Sequence, residues 1–315
     1  MRPIISKCFE IVVLLLLISA PAFALGSGES SECPPKSDAV QATVPIPAPE
    51  GQTLRFYALG DTGRADAGQA AVAETMARFQ TDFAAAFVLL LGDNFYPRGV
   101  RSSGDPQWKS KFEQMYDSSR LLLPFYAVLG NHDYRRNEKA QIEYSRINPQ
   151  SRWKMPARYY SFSHRLSDGT GIDFFGIDSN TLEDDPSQLT WLESALESSS
   201  AEWKIVFTHH VLYNYGHYGN DQKLINGLEN SLIRGGVDLY LSGHEHQLQI
   251  LKSEFGISYM TSGAGSRPRK AGCGENTVYA AGLPGFLAFE IARTQLTTYV
   301  VLADRGVDFV YTILK

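Results

Sequence analysis

Cysteine is almost missing from this sequence. Only Cys8, Cys33 and Cys273 occur among 315 residues, so neither a cysteine zinc motif nor a disulfide-dense scaffold can be assembled. Clustered positive charge is equally scarce. Apart from Arg267-Pro268-Arg269-Lys270, which reads as a solvated loop, no Lys/Arg run stands out, and 29 basic residues face 34 acidic ones. A net charge of −5 gives a nucleic acid no basic footprint, so none is expected as a partner. Asn-x-Ser/Thr acceptor sites are lacking, which leaves N-glycosylation nothing to act on. The first glycine-rich stretch, GDTGRADAG, lacks both the P-loop lysine and the G-x-G-x-x-G pattern.

The one long apolar run lies at the start. MRPIISK carries Arg2 and Lys7, IVVLLLLISA follows, and Ala22-Phe23-Ala24 supplies the small residues a signal peptidase needs. The run is too short for a stable bilayer span, so residues 1–24 are expected to be a signal peptide cleaved after Ala24. Cys8 precedes that run, which argues against lipid attachment, so no membrane anchor is expected after cleavage. Loss of Arg2, Lys7 and Glu10 moves the net charge to about −6. The expected location is extracytoplasmic, periplasmic or secreted. An oxidising compartment would allow Cys33 to pair with Cys273, although spacing alone does not decide it.

Residues 25–50, rich in Ser, Gly, Pro and Ala, read as an extended tail or linker. Residues 51–315 have the length of one large domain. Within them, strand-like runs alternate with helical ones: LRFYALG, a helix from Ala67, AAAFVLLLG, a helix over 106–119, PFYAVLG. IDFFGID, SQLTWLESALESSS, WKIVFTH, QKLINGLENSLIRGG and VDLYLSG continue the pattern. GFLAFEIA, LTTYVVLA and VDFVYTIL close the chain as antiparallel strands. This alternation predicts an α/β fold of layered sheets covered by helices.

Five of these strands end in polar clusters: GDTG (60–63), GDNFY (92–96), GNHD (130–133), THH (208–210) and SGHEH (242–246). Each alone is an ordinary turn or a satisfied histidine. All five at strand ends place Asp61, Asp93, Asn131, His209, His244 and His246 on one rim, where α/β sheets bind ligands. Such oxygen and imidazole donors suit Fe, Zn or Mn. His244 and His246, two apart, project to one side of an extended chain and can reach adjacent metals. Asp93, in the middle of the set, is the natural carboxylate to bridge two cations about 3.5 Å apart. Tyr96 has two readings. It is an aromatic packing residue, or a phenolate donor, which requires a strongly Lewis-acidic ion such as Fe(III).

The five blocks resemble those of the metallophosphoesterases, and a tyrosine three residues after the bridging aspartate resembles the purple acid phosphatases. RWKMPARYYSF, QLTWLESAL, YLSGHEHQLQIL and YMTSGAGS are similar to later blocks of the small, tartrate-resistant type. The resemblance covers most of residues 54–265. It implies a β-sandwich of two mixed sheets flanked by helices. It further implies Asp61, Asp93, Tyr96 and His246 around Fe(III), with Asp93, Asn131, His209 and His244 around a second, divalent metal, Fe(II), Zn or Mn. His132 resembles a histidine that holds substrate phosphate. His217 falls near another, one residue early, and Gly216 stands where the animal enzymes have an acidic residue before it. His210 is expected to pack or support rather than ligate, and His164 to be a sheet or surface residue.

The expected activity is that of an acid phosphatase. A metal-bound hydroxide attacks a small phosphate monoester in line with the leaving group, and protonated His132 or His217 assists departure. A monomer is expected. Two alternatives stay open on the sequence: a phosphodiesterase or nucleotide pyrophosphatase on the same metals, and a non-catalytic metal- or phosphate-binding protein.

Overall fold

The computed structural model describes residues 51–116, 119–252 and 255–315. The expected signal peptide, the tail and Cys33 lie outside the described residues. Cys273 is disulfide-bonded.

The first strand, β1 (Leu54–Leu59), is buried throughout and leads into α1 (Ala67–Phe83). Asp66 caps that helix by accepting from the Gln69 N–H. Next come β2 (Phe87–Leu91), β3 (Phe125–Val128), α2 (Lys139–Ile147), β4 (Trp153–Lys154), β5 (Tyr160–Arg165) and β6 (Gly171–Gly176). Then follow α3 (Pro186–Ser198), β7 (Trp203–Phe207), α4 (Gln222–Arg234), β8 (Leu239–Ser242), β9 (Leu248–Lys252) and β10 (Ser258–Ser262). The chain closes with β11 (Thr277–Ala281), β12 (Gly285–Ala292), β13 (Gln295–Leu302) and β14 (Gly306–Leu314). Two seven-stranded sheets result, ordered β14-β13-β12-β1-β2-β3-β4 and β11-β9-β10-β8-β7-β6-β5. Both are mixed. The β1-β2-β3 and β6-β7-β8 stretches are parallel, and the closing strands pair antiparallel.

Period-two alternation explains why these strands lie in a sandwich. In β1, Leu54, Phe56 and Ala58 face the opposite sheet, while Tyr57 and Leu59 pack with α1. In β7 and β8, Ile205, Phe207, Leu239 and Leu241 point inward, while Val206 and Tyr240 meet the residues of α3 and α4. At the centre Phe56 stacks on Phe87 (5.2 Å) and Phe289 (4.8 Å), and meets Phe174 of the facing sheet edge-on at 5.3 Å. Truncating Phe56 to Ala would cost about 3–5 kcal/mol.

One helix differs from its sequence reading. Across 106–119 the winding is confined to a turn around Lys109–Glu113 of π geometry. Side chains take the carbonyls that a continuing helix needs: Gln69 that of Lys111 (3.0 Å), Arg152 those of Glu113 (3.2 Å) and Tyr116 (2.8 Å). The short helix α2 has no counterpart in the sequence reading.

The parallel strands of both sheets run to a common rim. There Gly60 N donates to Ser262 O at 2.7 Å, Asp61 N to Gly92 O at 3.0 Å, and Gly243 N to His209 O at 3.0 Å. The first of these bonds joins the strand ends of the two sheets, and the other two tie neighbouring strand ends within each sheet. No helix among the described residues is long and apolar enough to cross a membrane.

Candidate metal centre

Three candidate ligands adopt left-handed backbone, an expensive choice for residues bearing a Cβ: Asp61 (φ 59°), Asp93 (φ 53°) and His244 (φ 64°). Each follows a glycine at a strand end, which lets the chain reverse and aim the side chain back over the rim. The Asp61 carboxylate accepts the His244 N–H at 2.8 Å, and Asp93 accepts the His132 N–H at 2.8 Å. Ligands on separate loops therefore fix one another's backbone.

The donors gather in two groups. In the first, Tyr96 OH lies 2.8 Å from Asp61 Oδ1 and 3.1 Å from His246 Nε2, which is 3.2 Å from the same Asp61 oxygen. In the second, His209 Nε2 lies 3.1 Å from Asn131 Oδ1, 3.2 Å from His244 Nδ1 and 3.6 Å from Asp93 Oδ1. Oxygen and nitrogen atoms of Asp61, Asp93 and His209 all fall within 4.8 Å of one another, which joins the groups through their carboxylates. All three are buried.

The tautomers decide what the groups are for. His209 Nδ1 donates to the Leu91 carbonyl (2.8 Å) and His246 Nδ1 to that of Arg267 (2.9 Å). A carbonyl can only accept, so in each neutral imidazole Nε2 presents a bare lone pair towards carboxylate, amide and phenol oxygens. Lone pairs brought together in this way can be shared by a cation, and a backbone carbonyl behind the ring is the usual support of a metal-ligating histidine. The donor set therefore fits two cations.

Electrostatics in the metal-free chain agree. Burial opposes ionisation of Asp61, but the hydrogen bond and charge of His246, then the charge of His209, hold its carboxyl down at about 2. His246 is raised despite burial, through its bond to Asp61. Protonation of this pair and cation binding to it therefore compete. Burial and then His209 push His244 down to about 2, keeping it neutral and available as a donor. Burial, followed by the charges of Asp61 and Asp93, raises the Tyr96 phenol, so it stays protonated in the bare protein.

Other histidines are placed as follows. His132 sits 4.3 Å from the Tyr96 ring, with Nδ1 on the Pro97 carbonyl (2.8 Å) and Nε2 3.9 Å from Asp93 Oδ2. His210 Nδ1 bonds Ser179 Oγ at 2.8 Å, and its ring lies 4.5 Å from that of His244. His164, half-buried on the edge strand β5, stacks on Phe87 at 5.2 Å. His217 is exposed, its ring 4.8 Å from Tyr218. The ring that covers His244 is that of Tyr218, at 4.4 Å and nearly parallel.

Three supporting residues escaped the sequence reading. Asp133, fully buried, accepts N–H groups from Gly130 (2.9 Å), Asn94 (3.1 Å) and Phe95 (3.2 Å), tying the GDNFY and GNHD loops together. Burial and then Asp93 push its carboxyl up to about 7. Arg64 lies over the Tyr96 ring at 3.9 Å. Glu245, buried between the two rim histidines, accepts the Tyr218 N–H at 2.8 Å and so holds the loop that carries His217.

Two mixed sheets, a rim of strand-end loops and paired nests of oxygen and imidazole donors define a metal-dependent phosphoester hydrolase. Residues 54–248 match the calcineurin-like phosphoesterase family. Mouse tartrate-resistant acid phosphatase type 5 is 32% identical over 250 residues, covering 71% of this chain and 74% of that protein. Arabidopsis thaliana purple acid phosphatase 4 is 32% identical over 292 residues, covering 84% of each. The chain belongs to the calcineurin-like phosphoesterases and, within them, to the purple acid phosphatases. Among solved structures, GAP50, the anchor in the inner membrane complex of Plasmodium, superposes with a TM-score of 0.75 at 26% identity, covering 83% of this chain and 88% of that one. Purple acid phosphatase PPD1 from yellow lupin seeds shares the fold at a TM-score of 0.63 and 16% identity, covering 84% of this chain and 54% of that one.

Proposed function

We propose that the protein is an exported acid phosphatase that hydrolyses phosphate monoesters at a dinuclear centre of Fe(III) and a divalent metal. The observation that carries this reading is the pair of Nε2 atoms on His209 and His246, each facing carboxylate oxygen (Asp93 at 3.6 Å and Asp61 at 3.2 Å), with a phenol in only one of the two groups. That asymmetry favours unlike metals, the harder and more acidic ion on the side of Tyr96. Asp61, Tyr96 and His246 would hold Fe(III), Asn131, His209 and His244 would hold Fe(II), Zn or Mn, and Asp93 would serve both. Such ions supply a nucleophile from water at low pH and neutralise phosphoryl charge.

The remaining work falls to the chain. Asp61, Asp93 and His244 sit in strained turns, the Asp61 carboxylate accepts the His244 N–H and Asp93 that of His132, so the donor geometry exists before substrate arrives. His132, oriented by the Pro97 carbonyl, is positioned beside Asp93 to hold a phosphate oxygen. His217, on the exposed loop above, is proposed to assist the leaving group. Export rests on the N-terminal sequence pattern alone.

The test is metal analysis and a visible spectrum of the purified protein, together with hydrolysis of an aryl phosphate monoester and the matching diester across pH. The reading expects two metals, a phenolate-to-iron band and faster turnover of the monoester below neutrality. Preference for the diester would favour a phosphodiesterase. Full metal with no hydrolysis of either would favour a binding protein, a reading to which the likeness to the Plasmodium anchor lends some support.

A further inference from the structure

Immediately beside the metal centre the surface folds into a second concavity of about 730 Å³. Pro97, Arg98, Arg101, Asp105, Gln107 and Arg136 are among its walls. Pro97 is common to both places, since its carbonyl oxygen also orients His132. In a chain of net charge −5, three guanidinium groups on one hollow are an anomaly. Several arginines elsewhere are matched with acids, among them Arg55 with Glu290, Arg158 with Asp185 and Arg234 with Glu193. Arg98, Arg101 and Arg136 form no ion pair among the described residues. The carboxylate in the wall, Asp105, accepts the backbone N–H groups of Arg101 (2.8 Å) and Gln107 (3.0 Å), and the charge of Arg101 also helps to hold it ionised, so it offsets part of the positive charge.

The hollow is also firmly built. Gly99 N donates to His132 O at 2.8 Å, Asn137 N to Val100 O at 3.2 Å, and Trp108 Nε1 to Ser102 O at 3.2 Å. The first two bonds fasten the arginine-bearing loop to the segment that supplies Asn131 and His132, and the third closes the loop on itself. Guanidinium groups bind phosphate through paired, charge-assisted hydrogen bonds, and a cleft of this size admits a small ligand.

We propose that this hollow is a second anion subsite, binding a phosphate group that the substrate carries besides the one being cleaved. The substrates it favours are small esters with two or more phosphoryl groups. This rests on the phosphatase reading, and the test separates the two. The KM values of the metal-loaded protein for glucose 1,6-bisphosphate and glucose 6-phosphate are compared with those of an Arg98→Ala/Arg101→Ala/Arg136→Ala variant and of Arg101→Glu. The expected result is a preference of about tenfold for the bisphosphate that both variants lose, while kcat/KM for para-nitrophenyl phosphate changes less than twofold. An unchanged preference in the variants, with hydrolysis intact, overturns the subsite and leaves the phosphatase standing. If no ester is hydrolysed, the phosphatase reading fails, and calorimetric binding of the same two sugars decides the subsite. Tighter binding of the bisphosphate by the wild type alone supports it, and equal affinities in wild type and variants overturn it.

Discussion

His209 Nδ1 donates to the Leu91 carbonyl at 2.8 Å, and the chain turns directly beneath that ring at Gly92, where an added Cβ would lie 2.6 Å from the same nitrogen. With φ at 82°, Gly92 is needed twice, for its backbone conformation and for the room it leaves. Gly92→Ala should destabilise the fold by about 1–3 kcal/mol and weaken metal binding about 10- to 100-fold, because the ring that aims Nε2 must move. Urea unfolding and metal stoichiometry would check both.

The ligands themselves give a sharper result. Asp93→Asn removes the carboxylate proposed to serve both metals, and His209→Ala removes a lone pair from one group. Each should lower turnover of an aryl phosphate at least about a hundredfold. The metal content should separate them: His209→Ala retains the ion on the Tyr96 side, whereas Asp93→Asn loses affinity for both.

Asp133 should behave as structure rather than chemistry. Its oxygens receive N–H groups from Gly130, Asn94 and Phe95, so Asp133→Asn turns an amide NH₂ against donors. A loss of about 1–3 kcal/mol in unfolding free energy is expected. KM should change little in whatever protein remains folded. A fall in kcat with unchanged stability would assign Asp133 to the chemistry instead.

These cases mark what could be read from sequence. The candidate ligands were legible because Gly-Asp, Gly-Asn and Gly-His pairs after apolar strands carry a local signal, and α/β order places strand ends on one rim. The fold was legible through the alternation of apolar strand-like runs with helical ones, and strands such as β1 and β2, buried at every position, left apolar runs that are easy to find. Asp133, Arg64 and Tyr218 were not. Their function is set by partners 26 to 39 residues away or more, such as the N–H of Asn94 and the rings of Tyr96 and His244, and nothing local to each announces it. The shortened helix near Lys109 escaped for a related cause, since the side chains that cap its carbonyls come from Gln69 and Arg152. His217 was placed by alignment alone, and Tyr218 is the neighbour that lies on His244.

A buried acid outside the two donor groups gives a pH prediction. Burial raises the Asp178 carboxyl above its ordinary value of 3.8, against hydrogen bonds from Tyr134 and Asn180 and the charge of Arg158. The folded state therefore holds this proton more tightly than the unfolded one. Its stabilising contribution is full below 3.8 and is lost as pH rises through the folded value. Asp178→Asn abolishes the titration while keeping an acceptor for the Asn180 N–H, 3.1 Å away. The difference in thermal midpoint should accordingly move in favour of the variant between pH 4 and pH 7. A constant difference across that range would show that Asp178 does not titrate differently on folding.

The guanidinium of Arg64 over the Tyr96 ring, 3.9 Å from its centroid, predicts a colour. A positive charge on the ring face lowers the energy of the phenol's π electrons, as in any cation–π contact. In the iron-loaded protein proposed above, those electrons are the donors of the phenolate-to-iron transition, so the charge should raise the transition energy. Gln69 Oε1 fixes the Arg64 backbone by accepting its N–H at 3.1 Å, which should keep the loop in place when the side chain is shortened. Arg64→Leu should therefore shift the visible band to longer wavelength with iron content unchanged, whereas Tyr96→Phe should abolish it. A band that stays in place in Arg64→Leu would mean that the guanidinium leaves the ring once iron is bound. A band that survives in Tyr96→Phe would mean that Tyr96 is a packing residue and that the ferric assignment is wrong.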